Sequence, residues 1–92
     1  MSIPKPLMIH VVYKGLIVDV TGKTTDDIVV SEGFVFIELL QQIFISYPEI
    51  EKRFPPGSLG LLINGKPPAV QDILHEGDEV VLMSTISSAS VS

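Results

Sequence analysis

Apolar segments alternate with turn residues along the chain and predict four β-strands. These segments are rich in β-branched residues and cover residues 7–13, 27–31, 59–63 and 79–86. The first of them is so apolar that we expect it in the centre of a sheet, buried on both faces. Residues 16–20 are less clear, because LIVDV is equally typical of a continued strand and of a bend.

Residues 35–47 carry the pattern of an α-helix. Apolar residues recur there at three- and four-residue steps and share one face: Phe36, Leu39, Leu40, Ile43 and Tyr47. Pro48 ends the helix because a proline disfavours helical geometry at the residue before it. We expect a short turn through Arg53 to follow, capped by residues 46–49. The order of strands and helix predicts an α+β domain with one main helix packed on one face of a sheet.

The composition supports one small folded domain. The chain has 92 residues, of which 46% are apolar and 18% charged, and a disordered chain would be far poorer in apolar residues. We expect a single domain over residues 1–86 and a flexible, serine-rich tail over residues 87–92. No apolar stretch reaches the roughly 20 residues of a membrane span. No signal peptide is recognisable either, so we predict a cytoplasmic protein without a membrane partner.

Charge and residue usage restrict the possible chemistry. The net charge of -5 disfavours binding to phosphate backbones, so no nucleic-acid partner is expected. The chain has no cysteine, which excludes disulfides, thiolate metal sites and a cysteine nucleophile. His10 lies within an apolar strand and is expected to be a hydrogen-bonded structural residue, whereas His75 is expected in a solvated loop.

The acidic clusters of the sequence do not resemble a catalytic or metal site. They occur at residues 26–27, at 49 and 51, and at 76, 78 and 79. None has a nucleophile or a partnered histidine beside it, and none has the spacing of a calcium loop. We therefore interpret them as solvated surface and predict no catalytic residue, no metal site and no cofactor.

Several short motifs occur in an order that is typical of one protein family. They are Thr21-Gly22-Lys23, Glu32-Gly33, Glu38-Leu39-Leu40, Tyr47-Pro48-Glu49, Leu62-Ile63-Asn64-Gly65-Lys66 and Leu74-His75-Glu76-Gly77-Asp78-Glu79-Val80. In this order the chain resembles the MoaD/ThiS sulfur-carrier family, the ubiquitin-like small subunits of molybdopterin synthase and of thiazole synthesis. The MoaD branch is more similar, because a Tyr-Pro-Glu segment and a long loop follow the helix.

The resemblance implies a ubiquitin-like β-grasp fold. Such a fold has a mixed sheet of four to five strands, with one main helix packed on one face and with the first and last strands together in the middle. The resemblance also implies no independent enzyme activity, since the small subunits of this family act as carriers.

The chain departs from the family at its C-terminal residues. In the family, an ATP-dependent adenylating enzyme activates the carboxylate of a terminal Gly-Gly, which then becomes a thiocarboxylate. Here Ser88-Ala89 falls at that position, and no glycine follows Gly77. Two functions stay open. The favoured one is a non-catalytic protein-binding module associated with molybdenum or tungsten cofactor or sulfur-transfer pathways. The alternative is a working sulfur carrier, a molybdopterin synthase small subunit with an atypical C-terminus.

Two apolar surfaces are candidates for contact with a protein partner. The first is the sheet face with the final strand, where we predict Leu62, Met83 and Ile86 as contact residues for a larger synthase-type or adenylating-enzyme-like subunit. The second is the helix flank with Ile37 and Phe44. These two residues are either ordinary exposed apolar residues or a contact with a partner or a second copy, which would make a homo-oligomer.

Overall fold

Four strands and three helices make up the part of the chain that the computed structural model describes, which is residues 5–55, 57–69 and 71–84. In chain order they are β1 (Pro6–Lys14), α1 (Ile17–Thr21), β2 (Thr25–Ser31), α2 (Phe36–Ser46), α3 (Glu49–Arg53), β3 (Leu59–Ile63) and β4 (Glu79–Ser84). The predicted strands and main helix are therefore confirmed within one or two residues at most of their ends. The predicted tail at 87–92 lies outside the described residues.

The strands form one mixed sheet in the order β2-β1-β4-β3. The outer pairs β1–β2 and β3–β4 are antiparallel, and the central pair β1–β4 is parallel, with Val11 opposite Val80. The first and last strands thus lie together in the middle. This topology confirms the predicted α+β class and the β-grasp arrangement.

Helix α2 covers one face of the sheet and makes the core. Alternate residues of the central strands face it and are buried, among them Ile9, Val11, Tyr13, Val80 and Leu82. The buried residues of the helix are Phe36, Leu39 and Ile43, at helical spacing. Burying one such side chain stabilises the folded state by about 1.5–3 kcal/mol, so this face provides most of the hydrophobic stabilisation.

The opposite face of the sheet has no covering layer among the described residues. The β1 residues that point there are half-buried or exposed, and Met8 keeps 42% of its surface accessible. The expectation that β1 is buried on both faces is therefore wrong. Met8 and Val12 are apolar like the odd-numbered residues of β1, and His10 alone interrupts the apolar run from 7 to 13, so the prediction did not separate the two faces.

Residues 17–21 form a one-turn helix, so the expectation of a strand or bend at 16–20 is wrong. The turn buries Ile17 and Thr21 against the core. Gly22 ends it in the left-handed region at φ 75°, and its N–H donates to the Val18 carbonyl at 2.8 Å. Apolar residues occupy nearly every position of this segment, so its pattern fits no single period.

The expected short turn through Arg53 is present as the one-turn helix α3, but its expected cap is not. Pro48 precedes the helix without a side-chain hydrogen bond, and the buried Ile50 anchors the helix. Half of a capping box occurs instead at the start of α2, where the Val35 N–H donates to Glu38 Oε1 at 3.1 Å. The valine side chain has no acceptor for the reciprocal bond. The predicted tight turn at Asn64-Gly65 is confirmed, with φ 52° and 85° and an Ile63–Lys66 bridge around it.

Candidate partner-docking surface

The uncovered side of the sheet is the main candidate surface, and we call it the open sheet face. Strand alternation assigns to it one residue in two from each strand. Its members are Thr25, Asp27, Val29 and Ser31 of β2, Pro6, Met8, His10, Val12 and Lys14 of β1, Glu79, Val81 and Met83 of β4, and Gly60 and Leu62 of β3.

Four apolar side chains meet in the middle of the open sheet face. Val12, Val81 and Leu62 are register partners in a row across β1, β4 and β3, and Met83 is the next β4 residue on the same face. We call these four residues the apolar centre. Val81 is only 6% exposed because it has an apolar neighbour on each side, while the other three are partly exposed. The structure therefore brings the predicted contact residues Leu62 and Met83 together on one face, whereas Ile86 lies outside the described residues.

Charged residues border the apolar centre at both ends. Toward one end, His10 Nδ1 lies 2.6 Å from Asp27 Oδ1, and Glu79 is the register partner of His10 on the other side. Lys14 lies at the opposite end beside Met83. His10 is thus hydrogen-bonded, as expected. An apolar centre with a polar border is the usual composition of a protein–protein contact.

A second exposed apolar pair lies on the same face, and the sequence interpretation missed it. Met8 and Val29 are register partners on β1 and β2, with 42% and 59% of their surfaces exposed. The Met8 N–H donates to Glu76 Oε1 at 2.9 Å. The sequence pattern predicts that β1 is buried on both faces. With one face expected to be exposed, alternation along the strand would have placed Met8 and Val12 on that face, opposite Ile9.

The helix flank proposed from the sequence is only partly a free surface. Phe44 packs against the core while lining a shallow surface cavity of about 290 Å³ together with Gln41, Ile45 and Glu51. Ile37 is half-buried and does not line this cavity. The most exposed apolar residue here is Ile45, at 79%. The roles of Ile37 and Phe44 in partner contact or homo-oligomerisation stay predictions.

A tyrosine pair on the core side fixes the sheet against the end of α2. The hydroxyls of Tyr13 and Tyr47 both donate to Asp26 Oδ2 at 3.1 Å, and the two rings meet edge to face at 6.0 Å. Lys23 Nζ lies 3.6 Å from Asp26 Oδ1. Burial raises the pKa of the Tyr13 hydroxyl above its ordinary value, and the charge of Asp26 and the hydrogen bond to it raise the pKa further. The cluster thus ties β1, β2 and α2 together.

The raised pKa of Tyr13 predicts a loss of stability at alkaline pH. The folded chain keeps the Tyr13 proton to a higher pH than the unfolded chain, in which tyrosine titrates near pH 10. The stabilisation is therefore complete well below pH 10 and is lost above it, with a slope that approaches about 1.4 kcal/mol per pH unit. We expect urea unfolding at pH 9–11 to show this loss in the wild type and in Tyr47→Phe, and a clearly smaller loss in Tyr13→Phe, in which the raised pKa of Lys23 remains. An equal slope in Tyr13→Phe would contradict the assignment.

Within the described ranges, no group of three or more His, Asp or Glu residues is placed to hold a metal ion. No described helix is both long and apolar enough to cross a membrane.

Comparison with known proteins connects the chain to others through its fold. No protein-family model matches the sequence, and no curated protein matches it. Among solved structures, molybdopterin converting factor subunit 1 from Pyrococcus furiosus is similar, with a TM-score of 0.79 at 16% identity over 87% of this chain and 99% of that one. Small archaeal modifier protein 1 from Haloferax volcanii gives a TM-score of 0.75 at 20% identity, over 87% and 99% of the two chains.

A ubiquitin from Caldiarchaeum subterraneum is also similar, with a TM-score of 0.59 at 17% identity over 91% of this chain and 100% of that one. These similarities confirm the ubiquitin-like β-grasp fold, and they support the resemblance to MoaD-like proteins at the level of the fold.

Proposed function

We propose that this chain is a MoaD-like, ubiquitin-fold binding module that docks a protein partner through the open sheet face and performs no catalysis itself. The apolar centre is the observation that carries the proposal. Val12, Leu62, Val81 and Met83 form a contiguous apolar patch on a sheet face that no described residue covers. Contiguous exposed apolar patches with a polar border mark interaction sites.

The partner is a protein subunit of synthase or adenylating-enzyme type, in molybdenum or tungsten cofactor assembly or in sulfur transfer. The fold shared with a molybdopterin converting factor subunit and with a small archaeal modifier protein supports this class of partner. The predicted contact residues are Leu62 and Met83 on the open sheet face, and a third, Ile86, which lies outside the described residues.

The binding role is preferred over a carrier role because docking through the apolar centre requires no reactive terminal group. A carrier requires one, and residues 78–92 contain no Gly-Gly pair that could serve. An extended Gly-Gly segment can enter a narrow active-site channel, whereas side chains would collide with its walls. The alternative function is a working sulfur carrier with an atypical C-terminus. The likeness to a converting factor subunit favours this alternative, and the intact mass of the protein from its own host distinguishes the two. Sulfur in place of a terminal oxygen would support the carrier.

Oxidative footprinting tests the docking surface, because two methionines lie at different places on the open sheet face. We expect Met8 and Met83 to lose reactivity toward hydroxyl radicals when the protein is in complex with the partner that co-purifies from its host. Tyr47 is half-buried on the core side of the sheet, where its hydroxyl donates to Asp26, and serves as the internal control. Protection of Tyr47 without protection of Met83 would refute docking through this face.

A further inference from the structure

The two edges of the sheet differ in charge. Strand β2 forms one edge and carries Asp26 and Asp27. Strand β3 forms the other edge, and residues 54–65 around it contain no charged residue. Exposed strand edges pair readily with other strands, and proteins commonly prevent this with charges. Edge β2 has such protection and edge β3 does not.

The register shows which backbone groups of β3 point outward. The Asn64 N–H donates to the Glu79 carbonyl on β4, whereas the N–H and C=O of Ile63 bond to Lys66 on the outer side. Because inward and outward directions alternate along an antiparallel strand, Leu59 and Leu61 also direct their N–H and C=O groups outward. The turn at Asn64-Gly65 closes the edge at Ile63, so among the described residues the open edge consists of Leu59 and Leu61.

We propose that this edge pairs with β3 of a second copy of the chain. Antiparallel pairing centred on Gly60 would match Leu59 with Leu61 of the second copy, and Leu61 with its Leu59. Each matched pair would form two backbone hydrogen bonds. The two Gly60 residues would face each other at the closest backbone approach, where no side chain obstructs it.

Charge explains why the second copy would bind here and not at β2. Each chain carries a net charge of -5, so two copies repel each other in general. Antiparallel pairing of β2 with itself would bring the carboxylates of Asp26 and Asp27 close to their counterparts, which is destabilising. At β3 the nearest charged residues in sequence are the basic Arg53 and Lys66.

The pairing would join two four-stranded sheets into one sheet of eight strands. Leu62 and Met83 of both copies would then lie on one continuous surface, on either side of the Gly60 pair. The contact area of so short an edge is below that of a standard stable interface, so the dimer should form reversibly as concentration rises. Pairing would leave the open sheet face accessible, so this inference stands or falls independently of the proposed function.

Amide exchange of the unmodified protein tests the pairing directly. From micromolar to millimolar concentration, we expect exchange at Leu59 and Leu61 to slow, by about tenfold when about nine-tenths of the chains are paired. The amide of Ile63 is already bonded to Lys66 and should not change. Amide exchange at Leu59 and Leu61 that does not depend on concentration would overturn the proposal. Slow exchange at every concentration would mean that another segment covers the edge, and fast exchange at every concentration would mean that nothing does.

A charge-swap pair tests the geometry. Gly60→Asp and Gly60→Lys each place two like charges opposite each other in the paired strands. Each variant alone should therefore sediment as a monomer of about 10 kDa. An equimolar mixture of the two places opposite charges there and should restore the dimer. The matched control is Thr25→Asp with Thr25→Lys on the other edge strand, which should leave the dimer of each variant unchanged. A dimer that persists in Gly60→Asp would overturn pairing at β3.

Discussion

Met83→Asp should weaken partner binding by at least about 30-fold, which corresponds to the loss of about 2 kcal/mol expected at a central contact residue. Met83 lies in the apolar centre, between Lys14 and Gly60 in register and two residues after Val81. A carboxylate buried there by the partner would lose its hydration, and the charge of the neighbouring Lys14 would offset only part of that cost. Isothermal titration of the purified partner with wild type and variant measures the loss.

Two further variants make this result interpretable. Met83→Leu keeps the size and apolarity of the side chain and should bind within a few-fold of the wild type. Ile45→Asp introduces the same charge on the helix flank, where 79% of the side chain is exposed, and should leave affinity unchanged. Because Met83 is only partly buried, the aspartate variant should still unfold cooperatively. A folded Met83→Asp protein that binds normally would count directly against docking through the open sheet face.

Among the substitutions proposed for this chain, Leu82→Ala should lower the free energy of unfolding most, by about 2–5 kcal/mol. The Leu82 side chain has no exposed surface and lies on central strand β4, with Tyr13 and Leu61 as its register partners on both sides. Small domains have free energies of unfolding of about 5–15 kcal/mol, so this change removes a large share of the total.

Urea unfolding monitored by circular dichroism measures the effect of Leu82→Ala. The midpoint should fall while the slope stays the same, because the surface exposed on unfolding hardly changes. Ile45→Ala also removes a branched apolar side chain, but from the protein surface, and should change stability by no more than about 0.5 kcal/mol. Equal losses in the two variants would show that the core is not where the structure places it.

Local patterns in the sequence were sufficient to predict most of the elements. The helical spacing from Phe36 to Tyr47, the proline after it and the Asn64-Gly65 turn each depend on residues close in the chain. Segment 16–20 was predicted wrongly because its helix is stabilised by burial of Ile17 against distant residues, and no local pattern encodes that contact.

The candidate surface was harder to predict than the fold. Alternation within the last strand is sufficient to place Met83 on the same face as Val81, but the position of Leu62 beside them depends on the β3–β4 register. Val12, Met8 and Val29 were missed because β1 was expected to be buried on both sides, and only the absence of a covering layer among the described residues shows otherwise. Contacts between strands far apart in sequence determine both features.

The parallel central pair of strands also affects how the chain can fold. Val11 and Val80 are adjacent in space but are separated by most of the chain, so a long loop must close before the core can form. Such a high contact order predicts slower folding than that of a helical domain of similar size. During synthesis, β1 can pair with β2 early but lacks its other neighbour, β4, until Ser84 has left the ribosome, so the native core can form only after translation of β4 is complete.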